Sequence, residues 1–239
     1  MQLKLRALAE FAAGAGHEIN NPVATIVGYA QQLLAGETDP DRRHALATIG
    51  AQAYRIRDMI GDVMLFARPP EPKPTCFDLP EVLREISDRS ADNLQGTSLQ
   101  VETEGGAQIP IYADPVQLRI VLSSLLRNSM EALGGSGTIV MRAWASVEND
   151  RPLANFSVSD TGPGMSAADR EHLFDPFYSG RQAGRGLGFG LSKTWRIVTL
   201  HGGTIEATSP EAGGVTLTVS WPASAAAAAH LQEELCPDT

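Results

Sequence analysis

The sequence contains few cysteines, few aromatic residues and no long apolar run. Its two cysteines, Cys76 and Cys236, are too few among 239 residues for a disulfide-stapled scaffold, and this usage favours a cytoplasmic protein. No stretch approaches the roughly 18 consecutive apolar residues of a membrane-spanning helix, so we expect no membrane segment in this chain. The first ten residues alternate charge with leucine and are unlike a secretory signal.

Basic residues are also in short supply. Lysine and arginine total 19 while aspartate and glutamate total 28, so the net charge is −9 at pH 7. A general nucleic-acid binder needs a basic surface to displace counterions, and this composition argues against one. It still permits nucleotide binding, because a few cations and backbone N–H groups can hold a triphosphate in an acidic protein.

Residues 1–68 are rich in alanine and predict two helices separated by a turn. Asp39 and Pro40 form a helix-start signal, after which apolar residues recur at alternating spacings of three and four. This apolar seam consists of Leu46, Ile49, Ala53, Ile56, Ile60, Val63 and Ala67. The first helix carries a similar seam of Leu8, Ala12, Ala15, Ile19, Pro22, Ile26, Ala30 and Leu33. A lone antiparallel hairpin cannot bury both seams, so we expect two chains to form a four-helix bundle in a homodimer.

The remaining sequence predicts an α/β domain behind a linker. Residues 69–76 contain four prolines and predict a short, semi-rigid linker. Within 77–222 the predicted helices are Leu79–Leu94, Asp114–Leu133 and Leu191–Leu200. The predicted strands are Ser98–Thr103, Ile109–Tyr112, Thr138–Val147, Leu153–Ser159, Thr204–Thr208 and Val215–Trp221. We therefore expect an α+β chain, in which the hairpin precedes a two-layer α/β sandwich with antiparallel strands, and a fraying tail over 223–239.

His17 stands in the segment HEINNP at 17–22 of the first predicted helix. An isolated exposed histidine is usually idle, but the neighbours of His17 favour a functional one. Pro22 interrupts the helix at a cost of about 3 kcal/mol. Asn21 lies one turn from His17 on the same face and can hold a water there. Glu18 is adjacent in sequence and meets the ring only through a specific rotamer.

Two glycine-rich segments lie downstream. DTGPGM at 160–165 follows a predicted strand, and GRGLGFG at 184–190 precedes a predicted helix. Glycine N–H groups can approach phosphates closely, and a helix N-terminus favours anions. One such cluster is equally typical of a plain turn, but two clusters on either side of FDPFY at 174–178 indicate a phosphate-binding site.

Asn128 lies inside a predicted helix whose apolar residues are expected to pack on the sheet. Asparagine is unfavourable within a helix, and a mid-helix asparagine is more often simply solvated. Its carbonyl oxygen also suits Mg²⁺, a hard cation that prefers oxygen ligands and phosphates. The residues alone leave both interpretations open.

Together these segments resemble the catalytic half of the sensor histidine kinases of two-component signalling, over residues 1–222. HEINNP is similar to the family's phospho-acceptor box and Asn128 to its N box. Residues 160–164, 174–177 and 184–190 resemble its first glycine box, F box and second glycine box, and 201–203 and 214–216 its closing segments. The resemblance implies a dimerising hairpin and an ATP-binding sandwich of the type shared with gyrase and Hsp90.

The same resemblance implies the roles of individual residues, with ATP and Mg²⁺ as cofactors. His17 would accept the γ-phosphoryl group of ATP and pass it to an aspartate of a response-regulator receiver domain. Glu18 would take a proton from the other ring nitrogen, and Asn21 would position a water for dephosphorylating the partner. The implied nucleotide contacts are Asn128 through Mg²⁺, Asp160 with the adenine amino group, Thr216 supporting Asp160 through water, Gly162 and Gly164 beside the adenine, Gly186, Gly188 and Gly190 around the phosphates, and Arg181 and Arg185 neutralising phosphate charge.

The sequence departs from the family pattern at four positions. Ser124 stands where the family often has a second asparagine, which weakens the expected Mg²⁺ or phosphate contacts. Gly180, Leu187 and Phe189 replace a common Thr or Ser, a common Thr and a common Leu around the predicted ATP lid. The chain begins 16 residues before His17 and includes no sensor, so we expect the signal to enter from outside these residues.

Two alternatives share the same predicted fold. An ATPase of the gyrase, Hsp90 or mismatch-repair type uses a glutamate base four residues before the N-box asparagine, where this chain has Ser124. A catalytically inactive dimerisation or scaffold module would bind ATP without labelling His17. The joint presence of His17, Asn128 and Asp160 disfavours this second alternative, so we predict a histidine kinase.

Overall fold

The computed structural model of the protein describes residues 2–91, 96–104, 108–148, 151–178 and 188–223. Side chains are described from Gly16 onward, with the exceptions of His17 and Arg151. The described residues fall into two compact units. One is a helical hairpin up to Pro70, grouped with 188–189, and the other is an α/β sandwich that begins at Glu71. Within the described part of the chain, no helix combines the length and the apolarity needed to cross a bilayer.

The hairpin consists of α1, Gln2–Gly36, and α2, Pro40–Ala67. Asp39 begins α2, because its Oδ1 accepts the backbone N–H groups of Asp41 and Arg42, each at 3.0 Å. These bonds satisfy N–H groups that have no partner inside the helix. The predicted helical hairpin and its helix-start signal are confirmed.

Side chains also fix the turn between the two helices. The Arg43 guanidinium donates to the carbonyl oxygens of Leu34 at 3.3 Å and Glu37 at 2.8 Å, which closes the end of α1. Glu37 Oε1 in turn accepts the N–H groups of Thr38 at 2.9 Å and Asp39 at 3.0 Å. The end of one helix and the start of the next are therefore held by one connected set of hydrogen bonds.

The predicted apolar seams of the hairpin contain both buried and exposed residues. Ala30 on α1 and Ala53 on α2 are buried, and a Cβ added to Gly50 would lie 3.8 Å from the Ala30 Cβ. The exposed aliphatic residues of the seams, called the exposed stripe below, are Ile26 (45% exposed), Leu33 (59%), Ile49 (49%) and Ile56 (43%). Within the described hairpin, these aliphatic side chains remain largely open to solvent.

The sandwich is built on a five-stranded sheet in the order β2-β4-β5-β7-β6, beside a two-stranded β1-β3 pair. The strands are β1 Thr75–Asp78, β2 Thr97–Thr103, β3 Pro110–Ala113, β4 Gly137–Glu148, β5 Arg151–Asp160, β6 Thr204–Thr208 and β7 Val215–Pro222. The helices are α3 Leu79–Ser90, α4 Pro115–Leu133, α5 Ala167–His172 and α6 Gly190–Leu200. These elements confirm the predicted mixed α/β fold.

Three details differ from the prediction. β2 and β4 pair in parallel, with Thr97 opposite Gly137, because β3 and α4 carry the chain back between them. β1, with the sequence TCFD, and α5, with the sequence AADREH, were not predicted, because neither short segment shows a hydrophobic period of its own. α3 ends at Ser90, and residues 92–95 of its predicted extension lie outside the described residues.

Alternation along the strands gives the sheet one apolar and one polar face. On β5, Ala154, Phe156 and Val158 are fully buried in the core, and Leu122 of α4 belongs to the same cluster. Asp160 continues this row at the end of β5 and is 7% exposed. The fold therefore brings one carboxylate to the end of the core, on the apolar face of the sheet.

Candidate active site

The carboxylate of Asp160 is held by two hydrogen-bond donors. Ser129 Oγ on α4 donates to Asp160 Oδ2 at 3.0 Å, and the Gly162 backbone N–H donates to Oδ1 at 2.9 Å. Burying a carboxylate is costly unless such donors compensate for the lost water. Each carboxylate oxygen has two lone pairs, so this arrangement fixes the group and leaves capacity for a further donor.

Two glycines of the first glycine box are required by close approach and by backbone conformation. A Cβ added to Gly162 would lie 2.8 Å from Asp160 Oδ1 and 3.4 Å from the Ala132 Cβ. Gly164 has a φ of +81°, in the left-handed region, and a Cβ there would lie 2.9 Å from Ser209 Oγ. Larger residues at either position would displace the groups around Asp160.

The loop between β6 and β7 clasps this glycine box. The Gly214 N–H donates to the Gly162 carbonyl at 2.7 Å. Ser209 Oγ accepts the Met165 N–H at 3.0 Å and donates to the Gly214 carbonyl at 2.8 Å. On the other side, Thr161 N–H donates to a β4 carbonyl at 3.1 Å. The segment that follows Asp160 is thus tied down from both sides.

Asn128 lies half-buried on α4, one turn after Ser124. Ser124 Oγ donates to the Gly190 carbonyl at 2.9 Å, and Thr194 Oγ1 donates to the same oxygen at 3.0 Å. Gly190 is the first residue of α6 and the last glycine of the second glycine box. The serine that departs from the family pattern therefore anchors the start of α6 to the helix that carries Asn128.

A cavity of about 400 Å³ lies beside α4, lined by Val116, Arg119, Ile120, Ser123, Ser124, Arg127 and Lys193. Arg119 Nη2 lies 2.7 Å from Oε2 of Glu85 on α3, and this hydrogen bonding lowers the pKa of Glu85. Lys193 of α6 is 6% exposed. The lining thus carries three cationic side chains, of which Arg119 is paired with the Glu85 carboxylate.

The structure does not bring Thr216 to Asp160. Thr216 lies opposite Ser159 in the β5–β7 register, and their hydroxyl oxygens are 2.9 Å apart. Because successive side chains alternate between faces, this pair lies on the polar face while Asp160 lies on the apolar one. The residue opposite Asp160 is Val215, which has no hydroxyl to offer.

Part of the second glycine box lies outside the described residues. Arg181, Arg185 and Gly186 belong to 179–187, as do the departures at Gly180 and Leu187. Of the described remainder, 188–189 group with the hairpin unit. There the Phe189 ring meets the Phe66 ring of α2 edge to face, with centroids 5.6 Å apart. Gly190 belongs to the sandwich as the first residue of α6.

The F-box segment is anchored to α5. Phe174 packs against the core, while Phe177 is 60% exposed with a φ of 68°, a conformation that aromatic residues rarely adopt. The Tyr178 hydroxyl donates to Asp169 Oδ1 at 2.7 Å. That bond raises the pKa of Tyr178, while hydrogen bonds from Ser166 and Tyr178 lower the pKa of Asp169.

The acceptor box lies on α1, which continues as a helix through Pro22. Glu18 and Asn21 are exposed, and Thr25 Oγ1 donates to the Asn21 carbonyl at 3.1 Å. The side chain of His17 lies outside the described residues, and so do the predicted relations of His17 to Glu18 and Asn21. The helical placement of the box agrees with the sequence analysis.

Gly16 brings the two hairpin helices together just before His17. A Cβ added to Gly16 would lie 2.7 Å from the Met64 Sδ of α2. Met64 is flexible and can yield to a small group, but a branched side chain would push the helices apart at this point.

Sequence reasoning missed two buried polar residues near the site, Ser129 and Lys193. Ser129 shares the sheet-facing spacing of Leu122 and Leu125, and a hydroxyl in an apolar row is a signal that a buried partner exists. Lys193 is the fourth residue of α6, three residues after the last glycine of the glycine box. Its burial depends on how α6 packs, which the sequence does not display.

Two family models match the chain, one for each unit of the fold. The His Kinase A (phospho-acceptor) domain matches residues 7–72, which include the acceptor box, most of α1 and all of α2. The histidine kinase-, DNA gyrase B- and HSP90-like ATPase domain matches residues 113–225, which include α4, Asp160 and both glycine boxes. Together the matched ranges cover most of the chain.

Comparison with curated proteins gives the same family. Sensor histidine kinase ZraS of Klebsiella oxytoca is 33% identical over 221 residues, which are 92% of this chain and 47% of ZraS. Sporulation kinase B of Bacillus subtilis is 29% identical over 223 residues, 92% of this chain and 51% of that kinase. The chain thus spans about half the length of these relatives.

Among solved structures, full-length ShkA in complex with AMPPNP has a TM-score of 0.79 at 22% identity, covering 91% of this chain and 46% of ShkA. Histidine kinase ThkA in complex with the response regulator protein TrrA has a TM-score of 0.66 at 24% identity, covering 93% of this chain and 64% of ThkA. Both likenesses bear on the fold. With an acceptor domain on its hairpin and an ATPase-like domain in its sandwich, the chain belongs to the sensor histidine kinases of two-component systems.

Proposed function

We propose that this chain uses ATP to phosphorylate His17 and passes the phosphoryl group to an aspartate of a response-regulator receiver domain. The same chain can also dephosphorylate that receiver domain. The main support is that one chain contains both an acceptor box on a helical hairpin and an ATPase-like sandwich. In that sandwich, the buried Asp160 carboxylate accepts two hydrogen bonds. The name of the relative ZraS, sensor histidine kinase, supports the same activity.

The nucleotide binds with its adenine at Asp160 and its phosphates toward the second glycine box. The remaining lone pairs of the Asp160 carboxylate accept a hydrogen bond from the adenine amino group. Gly162 and Gly164 let the backbone lie close to the base. The AMPPNP in ShkA, a protein of the same fold, supports this use of the sandwich. The phosphates meet Gly186, Gly188 and Gly190, with Arg181 and Arg185 supplying positive charge.

The residues present fit a magnesium ion that is held mainly by the nucleotide. Within the described residues, no cluster of three or more His, Cys, Asp and Glu side chains could bind a metal by itself. Asn128 supplies an amide oxygen on α4, and phosphate oxygens supply the other ligands that Mg²⁺ prefers. When bound, the ion neutralises phosphate charge during transfer.

In the proposed transfer, one ring nitrogen of His17 attacks the γ-phosphorus of ATP. The N–P bond forms as the bond from phosphorus to the bridging oxygen breaks, and ADP leaves with that electron pair. The proton on the other ring nitrogen passes to the Glu18 carboxylate, which makes the attacking nitrogen more nucleophilic. The exposure of Glu18 on α1 leaves it free to adopt the necessary rotamer.

The proposed partners are a second copy of this chain and a receiver domain. The exposed stripe of the hairpin supplies the apolar surface that a four-helix bundle buries. The complex of ThkA with TrrA supports a response regulator as the acceptor of the phosphoryl group. Both partners use the hairpin unit, which carries His17.

Labelling with γ-³²P-ATP tests the proposal. His17→Gln is expected to abolish a protein-bound label that is labile in acid and stable in base, as a phosphoramidate is. His44→Gln provides a matched control, because His44 is exposed on α2 and belongs to no motif. Full labelling of the His17 variant would overturn the proposal.

Two alternative functions make different predictions in the same assay. An ATPase would release inorganic phosphate without any label on the protein, but the hydroxyl at the position of its glutamate base, Ser124, donates to the Gly190 carbonyl. An inactive scaffold would bind ATP and carry no label. Detection of a stable label on His17 excludes both.

A second test separates kinase from phosphatase activity on α1. Asn21→Ala is expected to leave His17 labelling largely intact and to abolish dephosphorylation of the receiver domain, because the amide holds the attacking water. Glu18→Ala is expected to do the opposite, since it removes the proton acceptor. Equal loss of both activities in both variants, with helicity unchanged, would show that this division of roles is wrong.

A further inference from the structure

We propose that Ser129 is a positioning residue for adenine recognition, because its hydroxyl holds the Asp160 carboxylate in the orientation that accepts the adenine amino group. The inference rests on the proposed binding of ATP at Asp160 and assigns a further residue to that site.

Ser129 lies on the buried face of α4, where its hydroxyl has no access to solvent. Ser129 is 1% exposed and follows Leu118, Leu122 and Leu125 along the row that packs on the sheet. A hydroxyl in such an apolar row loses its water and needs a partner inside the protein. Ser129 Oγ donates a hydrogen bond to Asp160 Oδ2, and the two oxygens are 3.0 Å apart.

A count of donors shows why the bond matters to the carboxylate. The Gly162 N–H occupies one lone pair of Oδ1, and Ser129 occupies one lone pair of Oδ2. The terminal torsion of an aspartate is broad, so a carboxylate held at a single oxygen can rotate. With both oxygens engaged, Asp160 presents its remaining lone pairs in fixed directions.

The sheet does not supply this second donor. Val215 lies opposite Asp160 on β7 and is apolar, while Thr216 lies on the other face with Ser159. Among the described residues, Ser129 makes the one side-chain hydrogen bond to Asp160. The hydroxyl that supports the adenine-binding carboxylate therefore comes from the helix after Asn128 and not from the strand.

Equilibrium nucleotide binding tests the proposal, with two probes that differ at one group. ATP carries the 6-amino group, and purine riboside triphosphate lacks it. Ser129→Ala is expected to lower ATP affinity about tenfold, the effect of a hydrogen bond to a charged group. It should leave the affinity for purine riboside triphosphate unchanged, so the ratio of the two affinities falls about tenfold.

Ser157→Ala provides the matched control. Ser157 is a buried serine on the same strand as Asp160 but on the opposite face of the sheet. This variant should keep the wild-type affinity ratio. In an Asp160→Ala background, Ser129→Ala should have no further effect on ATP affinity, because the carboxylate that it positions is gone.

Two results would overturn the proposal. One is an equal loss of affinity for both nucleotides, which indicates a merely structural role, and the other is an unchanged affinity for ATP. Ser129→Cys replaces the hydroxyl with a thiol, which is a weak hydrogen-bond donor. Its affinity ratio should therefore lie between those of the wild type and Ser129→Ala. This second variant keeps the test valid if Ser129→Ala misfolds. The binding assay involves no phosphoryl transfer. If His17 is labelled but the affinity ratio of Ser129→Ala is unchanged, only the role of Ser129 is refuted. If the affinity ratio falls but His17 carries no label, only the proposed kinase activity is refuted.

Discussion

Gly162 is the residue at which the backbone comes closest to the carboxylate of Asp160. Gly162→Ala places a methyl group 2.8 Å from Asp160 Oδ1 and 3.4 Å from the Ala132 Cβ, so the carboxylate must move. We expect ATP affinity to fall about tenfold, the loss associated with one charged hydrogen bond. Titration calorimetry measures it.

Gly28→Ala is the control for that prediction. Gly28 lies on α1 with nothing within 4 Å of an added Cβ, and alanine is a better helix former than glycine. This variant should bind ATP as the wild type does. Equal affinities of the Gly162 variant and the wild type would mean that adenine does not bind at Asp160.

At this scale the sequence predicted the residues that form motifs and missed those that depend on packing. Asp160, Gly162 and Gly164 stand in a recognisable glycine box, and the structure places them together. Ser129 was missed because its bond to Asp160 depends on the rotation of α4 over the sheet. Thr216 lies opposite Ser159, one residue from the position opposite Asp160, and neighbouring residues of a strand face opposite sides of the sheet.

At the scale of elements, Asp114 joins the linker to the start of α4. Its Oδ1 accepts the N–H groups of Val116 at 2.8 Å and Gln117 at 3.1 Å, and its Oδ2 accepts the Lys73 N–H at 2.8 Å. Burial raises the pKa of Asp114, but these three donors and the nearby His201 together outweigh burial and hold the pKa below its ordinary value of 3.8. The folded state therefore favours the ionised carboxylate.

A pKa that is lower in the folded state adds stability above pH 3.8, and that stability is lost as the pH falls through the folded value. Asp114→Asn should therefore reduce the free energy of unfolding at pH 7 by about 1–2 kcal/mol. The difference from wild type should shrink below pH 3.8. Urea titrations followed by tryptophan fluorescence report the sandwich, which contains Trp144, Trp195 and Trp221.

Asp88→Asn is the control for the acid prediction, since Asp88 is exposed on α3. Its acid dependence should stay close to that of the wild type. A constant difference between Asp114→Asn and wild type from pH 7 to pH 3 would contradict the role assigned to the ionised carboxylate.

Most elements of this fold could be predicted from local signals, and the exceptions have physical reasons. α2 and α4 each follow an aspartate cap and begin at a proline, and this signal predicted their starts to within one residue. The parallel pairing of β2 with β4 was not predicted, because strand direction follows from the path of the intervening chain. β1 was missed because it gains its structure from pairing with β3 and not from a pattern of its own.

At the scale of the whole molecule, the exposed stripe predicts the oligomeric state. Ile49→Glu places a charge within the apolar surface that a second chain is proposed to bury. We expect the wild type to have twice the chain mass by light scattering and the variant to shift toward one chain mass. Val147→Glu changes an aliphatic residue that is 70% exposed on the sandwich and should remain dimeric. A dimeric Ile49 variant would place the dimer interface elsewhere.

The position of β7 in the sheet orders events during synthesis. β7 comes last among the strands but lies between β5 and β6, so β5 keeps an unpaired edge until Pro222 has left the ribosome. The hairpin pairs α1 with its immediate neighbour α2 and is complete by Ala67. Local pairing of this kind forms quickly, while sheets that pair distant segments form slowly. The proposed dimer of hairpins can therefore form between two nascent chains on one messenger RNA before either sandwich has closed.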